Sequence, residues 1–285
     1  MVSSFDGNDG NDGNFGNSGN GGNSGMGTGG WFFADRISLP FVTVFDPVPI
    51  AAQRINITAY PDKAWTADWL SWVAVTEFAQ TNWTAIALAT VIPNGPPLQA
   101  EIDGLVMAAQ DERADALGEI LSQNEEFASY FMNAMSARPG SYPATALVLS
   151  IASLVGTFAA MYFKRAFARP RPSMLCPALL PPVSVPGHAS FPSGHSTQSH
   201  LMALCMNEVF QNAPNPALPQ QAAMQVDLSA LADRISRNRE VAGLHYPSDT
   251  AAGIELAGML QNNLSTNPVN TVYVAAIAKA QTEWA

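Results

Sequence analysis

The feature that most constrains this fold is an apolar segment of 20 residues, Ala144 to Phe163, that contains no charged side chain. Its length alone permits a membrane-spanning helix. Threonine, serine and glycine residues within it lower its hydrophobicity, and no second comparable segment occurs. We therefore predict a helix buried in the core, with no membrane span, that places Lys164 at its C-terminal end.

Apolar residues recur at intervals of three and four along most of the remaining sequence, which indicates further amphipathic helices. No strand pattern of any length competes with this periodicity. Helices are predicted at 62–80, 98–135 (two or three helices), 220–237, 247–264 and 269–284. The expected fold is an all-α helical bundle.

The first 30 residues differ in composition from the rest of the chain. They are mostly Gly, Asn, Ser and Asp, a composition that buries too little apolar surface to offset the entropy of ordering. We predict a disordered tail over 1–30, followed by a single α-helical catalytic domain over 31–285.

The overall charge limits the classes of partner. With 13 basic and 23 acidic side chains, the chain has a net charge of −10, which argues against nucleic acids and anionic membrane surfaces as partners.

The two cysteines, Cys176 and Cys205, are predicted to be buried free thiols, and a single disulfide between them is the alternative. No basic patch followed by an apolar run marks a secretory signal, so we expect a soluble protein, cytoplasmic or exported by an unrecognised route. Homo-oligomerisation stays open.

The few basic residues are clustered in the sequence. Seven of the 13 lie in two short segments, and all four histidines fall between positions 188 and 245. These basic residues are Lys164, Arg165, Arg169, Arg171, Arg234, Arg237 and Arg239. Because a solvated surface needs no such clustering, we interpret the two segments as parts of one anion-binding site.

The segment from Ala189 to Gln198 lies between these two basic segments. A proline and a glycine bracket Ser193, which predicts a tight loop just before a new helix. Ser196 and Thr197 are expected to cap that helix, whose positive end would then lie beside His195.

Three cationic side chains can surround an oxyanion. Lys164 offers an ammonium group, and Arg171 and Arg239 offer planar guanidinium groups, which together can hold the equatorial oxygens of a tetrahedral or trigonal-bipyramidal centre. Ser193 and the Gly194 N–H would complete this set of donors.

The histidines can act at the two apical positions of such a centre. As a neutral imidazole, one can attack or ligate the central atom, while the other exchanges a proton at the opposite apex. Asp249 lies four residues after His245, about one helical turn away, so it can accept the second ring N–H and fix the tautomer.

The spacing of these residues resembles that of the type 2 phosphatidic acid phosphatase superfamily, which includes bacterial acid phosphatases and vanadium-dependent haloperoxidases. The family pattern is Lys-x6-Arg-Pro, Pro-Ser-Gly-His and Ser-Arg-x5-His-x3-Asp. Here the matching residues are Lys164, Arg171-Pro172, Pro192-Ser193-Gly194-His195, Asn238-Arg239, His245 and Asp249. Asn238 replaces the serine of the pattern.

The resemblance implies a helical bundle and a role for each matched residue. Lys164, Arg171, Ser193, Gly194 and Arg239 match oxyanion-binding positions. His195 matches the general acid/base. His245 matches the nucleophile of phosphatases and the vanadium ligand of haloperoxidases.

Residues outside the shared pattern must separate these activities. His188 lies where haloperoxidases carry a side chain beside the peroxide, with histidine typical of bromide-using members. Met161 lies where well-known haloperoxidases have tryptophan, which argues the other way. We favour a vanadate-dependent haloperoxidase that oxidises halide, bromide rather than chloride, with hydrogen peroxide.

Two alternatives stay open. One is an acid phosphatase that hydrolyses phosphate monoesters through phosphohistidine and needs no cofactor, whereas the haloperoxidase would need vanadate. The other is a non-catalytic oxyanion-binding module.

Overall fold

The described part of the chain is built from helices. The computed structural model describes residues 60–61, 64–211, 213 and 219–285, and no strand occurs in these ranges, which confirms the all-α prediction. The helices are α1 (Ala67–Phe78), α2 (Pro96–Asp111), α3 (Arg113–Glu125), α4 (Ala128–Ala134), α5 (Pro143–Phe167), α6 (Pro172–Leu175), α7 (Gly194–Gln211), α8 (Pro219–Val241), α9 (Pro247–Thr266) and α10 (Thr271–Glu283). The predicted tail, 1–30, lies outside the described residues.

Helix α5 contains the apolar segment and is buried along most of its length. The prediction of no membrane span is nevertheless wrong. The stretch Pro143–Leu175 is long and apolar enough to cross a membrane, and 78% of its most apolar 18-residue window is buried against the rest of the described structure. Its few small polar residues do not reduce the hydropathy enough to exclude a span.

Helix α7 forms the centre of the bundle and packs against α5, α8, α9 and α10. It begins at Gly194, earlier than the predicted caps, so Ser196 and Thr197 lie inside its first turn. Ser193 caps the helix instead, because its Oγ accepts a hydrogen bond from the Ser196 N–H at 3.3 Å. The positive end of α7 therefore begins at the Ser193-Gly194-His195 segment.

Helix α8 extends past the predicted end at residue 237, so Asn238 and Arg239 lie in its last turn. Leu244 and His245 follow in a short connection before α9, where Asp249 occupies the first turn. The third motif therefore joins the C-terminal end of one helix to the N-terminal end of the next.

Both cysteines are free thiols in the structure, but Cys176 is only partly buried, so the prediction of two buried thiols is correct for Cys205 alone. Cys205 is fully buried on α7, and burial raises the pKa of its thiol to about 12. It is therefore protonated at neutral pH and behaves as a small apolar core residue.

Candidate active site

His245 lies between a carboxylate and a guanidinium. Its Nε2 is 3.1 Å from Nη1 of Arg171, and its Nδ1 is 3.1 Å from Oδ2 of Asp249. Since a guanidinium can only donate, Nε2 must accept and Nδ1 carries the proton, which it donates to Asp249. This tautomer directs the basic nitrogen of a buried imidazole toward the Arg171 guanidinium.

The Asp249 carboxylate is buried and contacted at both oxygens. Oδ2 accepts hydrogen bonds from His245, from the Ser190 hydroxyl and from the Tyr246 N–H. Oδ1 accepts from Nη1 of Arg169 at 2.6 Å. Because both oxygens are held, the orientation of the carboxylate, and through it that of His245, is fixed.

Lys164 fixes the loop in front of α7. Its Nζ donates to the carbonyl oxygens of Ala189 and Ser190, both at 3.0 Å. The N–H of Ser193 donates in turn to the backbone carbonyl of Asp249 at 2.9 Å. These bonds connect the end of α5, the loop and the start of α9.

Gly253 lets α9 approach this loop closely. A Cβ at this position would lie 2.8 Å from the Ser193 carbonyl oxygen and 2.8 Å from Cβ of Ser196. A Gly253→Ala substitution should therefore push α9, and Asp249 with it, away from the loop. We expect a loss of about 1–3 kcal/mol in the free energy of unfolding, measured by urea denaturation.

Gly258 provides the matched control on the same helix, because a Cβ there would meet nothing within 4 Å. Gly258→Ala should leave stability unchanged or raise it by about 0.5–1 kcal/mol through helix propensity. Equal effects of the two substitutions would contradict the close approach at Gly253.

His195 and Arg239 are both held by carbonyl groups of α3. Nε2 of His195 donates to the carbonyl oxygen of Gln123 at 3.1 Å, and Nη2 of Arg239 donates to that of Ile120 at 2.9 Å. The ring of Phe127 packs on the His195 imidazole, with 4.9 Å between centroids. The positions of the His195 and Arg239 side chains therefore depend on the same helix.

Asn238, which departs from the family pattern, reinforces this contact with α3. Its Nδ2 donates to Oε2 of Glu119 and to Oε1 of Gln123, both at 2.9 Å. The amide thus supplies two donors where a serine hydroxyl has one. The substitution keeps a hydrogen bond beside Arg239 and directs it to a helix that the motif does not include.

His188 contacts Arg171 and borders a cavity. Arg171 donates from Nη2 to Nδ1 of His188 at 3.0 Å and from Nε to the His188 carbonyl oxygen at 3.0 Å. The cavity, of about 620 Å³, is bordered by Lys164, Arg171 and His188. Its apolar lining residues include Met161, Met174 and Val185.

Direct hydrogen bonds connect most of the predicted site residues. His188, Arg171, His245 and Asp249 form one chain of contacts, and Ser193 and Lys164 join it through the loop backbone. Gly194 and His195 come next in the sequence after Ser193. Arg239 is connected to His195 indirectly, because both side chains donate to carbonyl groups of α3. Their assigned chemical roles remain proposals.

Sequence reasoning missed several residues of this arrangement, namely Glu101, Gln123, Phe127, Arg169 and Ser190. Arg169 was recognised only as a member of the basic cluster. Ser190 lies inside the loop, and a hydroxyl near the motif was the only signal for it. Nothing in the pattern of α2 or α3 marks Glu101 or Gln123, because a polar residue on an amphipathic helix usually faces solvent.

Residues 143–265 match the family model described as the PAP2 superfamily. This region belongs to that superfamily. The match extends from the start of α5 almost to the end of α9, so it contains all three motifs of this PAP2 region.

The chain also has curated sequence relatives. Decaprenylphosphoryl-5-phosphoribose phosphatases from two strains of Mycobacterium tuberculosis, CDC 1551 / Oshkosh and ATCC 25618 / H37Rv, are 32% identical to this chain over 110 residues. Each alignment covers 39% of this chain and 54% of the relative, so the chain spans about half the length of these relatives.

A solved structure also matches: a Bacillus subtilis protein described as the first transmembrane PAP2 type phosphatidylglycerolphosphate phosphatase. The sequence identity is 16% and the TM-score 0.36, covering 70% of this chain and 94% of the other.

The prediction of a haloperoxidase is wrong. The curated relatives that this chain matches are phosphatases, which favours the alternative, and the comparisons give no support for vanadate on His245 or for peroxide beside His188. The error has a physical cause: vanadate and a phosphoryl group in transfer have similar shape and charge, so the motif alone does not distinguish the two activities. In this structure His188 accepts a hydrogen bond from Arg171.

The expectation of a soluble protein is corrected as well. It depended on the absence of a membrane span, and Pro143–Leu175 has the length and apolarity of one.

Proposed function

We propose that this chain is a phosphatase that hydrolyses phosphate monoesters through a phosphohistidine at His245. The observation that carries the proposal is the position of His245 between Asp249 and Arg171, which leaves Nε2 as the basic nitrogen. The curated phosphatase relatives support the same reaction class.

In the first step Nε2 of His245 attacks phosphorus, and the bond from phosphorus to the ester oxygen breaks. Asp249 stabilises the positive charge that develops on the imidazole, since it accepts the Nδ1–H. His195 gives a proton to the departing alcohol oxygen. Because Nε2 of His195 is held by the Gln123 carbonyl, we assign this proton to Nδ1.

In the second step water attacks phosphorus of the phosphohistidine and His195 takes a proton from that water. The bond from phosphorus to Nε2 then breaks and phosphate leaves. Arg171, Arg239 and Lys164 stabilise the phosphoryl oxygens through both steps, together with the N–H groups at the start of α7. The proposed steps use only these side chains, the substrate and water.

The cavity beside Lys164 and Arg171 favours esters with an apolar leaving group. Met161, Met174 and Val185 form an apolar wall next to the cationic side chains, so an ester with its phosphate at the cations can lay an alkyl chain against that wall. Burial of methylene groups contributes about 0.8 kcal/mol each.

Hydrolysis of octyl phosphate and glycerol 3-phosphate by the full chain tests both parts of the proposal. We expect saturable hydrolysis of both esters, with kcat/KM at least ~10-fold higher for octyl phosphate, as burial of two or more methylenes predicts. Met174→Gln should reduce this preference. Met107→Gln, on an exposed methionine of α2, should not.

Hydrolysis without a preference for the octyl ester would contradict the assignment of the cavity. Phosphate binding by calorimetry without turnover of either ester would contradict the enzymatic proposal and favour an oxyanion-binding module.

A further inference from the structure

Arg169 lies at the centre of a buried polar network behind the His245–Asp249 pair. Its Nη1 donates to Oδ1 of Asp249 at 2.6 Å and to Oγ of Ser248 at 2.7 Å. Its Nη2 donates to Oε2 of Glu101 at 2.9 Å. The guanidinium also stacks over the Tyr246 ring, with Cζ 3.7 Å from the centroid. The Arg169 guanidinium is therefore fixed by hydrogen bonds in its plane and by the Tyr246 ring on one face.

Glu101 reaches this network from α2, which lies outside the PAP2 region. Its Oε1 accepts from the Ser248 N–H at 2.8 Å, and its Oε2 accepts from the Ser248 hydroxyl at 3.0 Å. Glu101 thus holds the first turn of α9, which carries Asp249, and also the arginine that contacts Asp249.

The charges alternate along this network. Glu101 and Asp249 are carboxylates on either side of the Arg169 guanidinium, and both Glu101 and Arg169 are largely buried. If Glu101 were neutral, Arg169 would act on Asp249 without a counter-charge, and the carboxylate would stabilise a cationic imidazole less well. Tyr246 is affected by the same charges. Burial raises the pKa of its hydroxyl to about 12; the Asp249 and Glu101 carboxylates raise this pKa further, and the Arg169 guanidinium lowers it.

We infer that Glu101 and Arg169 are positioning residues that hold Asp249, and through it the Nδ1–H tautomer of His245, in the reactive geometry. The inference rests on the proposed phosphohistidine mechanism. Neither residue touches the reacting atoms. Their effect should therefore appear in the chemical step rather than in substrate binding.

Glu283 provides a control that separates a purely structural role of Glu101 from a role in positioning the site. Glu283 caps the start of α5 as Glu101 caps the start of α9: it accepts from the N–H groups of Ala144 and Thr145 at 2.8 and 2.9 Å and from the Thr145 hydroxyl at 2.7 Å. Both helices begin at a proline, Pro143 and Pro247. Among the residues that the structure describes, Glu283 accepts these hydrogen bonds from Ala144 and Thr145, neither of which belongs to the site.

The test compares Glu101→Gln with Glu283→Gln in the full-length chain, with kcat, KM and urea unfolding measured for each. We expect Glu101→Gln to lower kcat about 10- to 100-fold with KM changed less than about threefold. Glu283→Gln should lower stability to a similar extent with kcat within about twofold of wild type. A kcat for Glu101→Gln within twofold of wild type, or equal kcat losses in both variants, would overturn the inference.

Two further variants address Arg169. Arg169→Lys keeps the charge but cannot contact Asp249 and Glu101 with a planar fork, and Arg169→Met removes the charge. We expect a graded loss of kcat, with the lysine variant between wild type and the methionine variant. Should Glu101→Gln not fold, Arg169→Lys tests the same contact, and wild-type kcat in that variant would overturn it.

A readout independent of turnover separates this inference from the proposed function. In nitrogen-15 spectra of imidazole-labelled protein, wild type should show His245 protonated at Nδ1. Glu101→Gln and Arg169→Met should shift the His245 signals toward a mixture of tautomers, while Glu283→Gln should not. If the wild-type protein hydrolyses no phosphate ester yet these shifts occur, the proposed function fails and the positioning network stands. Unchanged His245 signals in an active enzyme would overturn the network alone.

Discussion

A His245→Ala variant is expected to lose hydrolysis of phosphate esters by about 10⁴-fold or more in kcat, because removing a covalent nucleophile leaves only binding and electrostatic effects. The side chain is almost fully buried, and its two ring nitrogens contact Asp249 and Arg171. Steady-state hydrolysis of p-nitrophenyl phosphate measures the loss.

Trapping the intermediate makes the same prediction more specific. Wild-type enzyme quenched in alkali during turnover of a phosphorus-32 ester should yield an alkali-stable, acid-labile label on the peptide that contains His245. His200→Ala is the matched control, since His200 lies on α7 and faces Asp233, with 3.6 Å between Nε2 and Oδ1. It should keep both turnover and label. Labelling of another peptide in wild type would contradict the assignment of the nucleophile.

A His195→Ala variant should show a loss that depends on the leaving group. General acid catalysis contributes about 10²- to 10⁴-fold, and it matters most where the departing oxygen is strongly basic. We expect a loss of about 10³-fold in kcat/KM for octyl phosphate and only about 10-fold for p-nitrophenyl phosphate, because nitrophenolate leaves without a proton and kcat/KM reports only the steps up to the release of the alcohol.

A plot of log kcat/KM against the pKa of the leaving alcohol checks this prediction. The slope should be shallow for wild type and steep for His195→Ala. Parallel slopes in the two proteins would mean that His195 orients the substrate or the α7 loop instead of donating a proton.

Much of this arrangement was predictable from spacing along the chain. Asp249 follows His245 by four residues, and in the structure its carboxylate accepts a hydrogen bond from the His245 imidazole. The apolar segment ended at Lys164, and the structure places Lys164 in the last turn of α5. Local periodicity determines such features, since a helix repeats every 3.6 residues.

Contacts between distant segments were not predictable in this way. The Arg169–Glu101 pair is separated by 68 positions and the His195–Gln123 contact by 72. Neither separation leaves a pattern in a single sequence, because the packing of α2 and α3 against the PAP2 region creates both contacts. The haloperoxidase prediction was wrong for a different reason. The cationic residues are suited to the shape and charge of an oxyanion, and phosphate and vanadate share both.

The attachment of Arg239 and His195 to α3 has a consequence for how this chain could change over evolution. The two receiving carbonyls belong to Ile120 and Gln123, three residues apart on one helix, which is about 4.5 Å along its axis. A single-residue insertion or deletion between them would rotate one carbonyl by ~100° relative to the other. Only one of the two side chains could then keep its bond, so α3 should tolerate substitutions on its outer face far better than changes in its length.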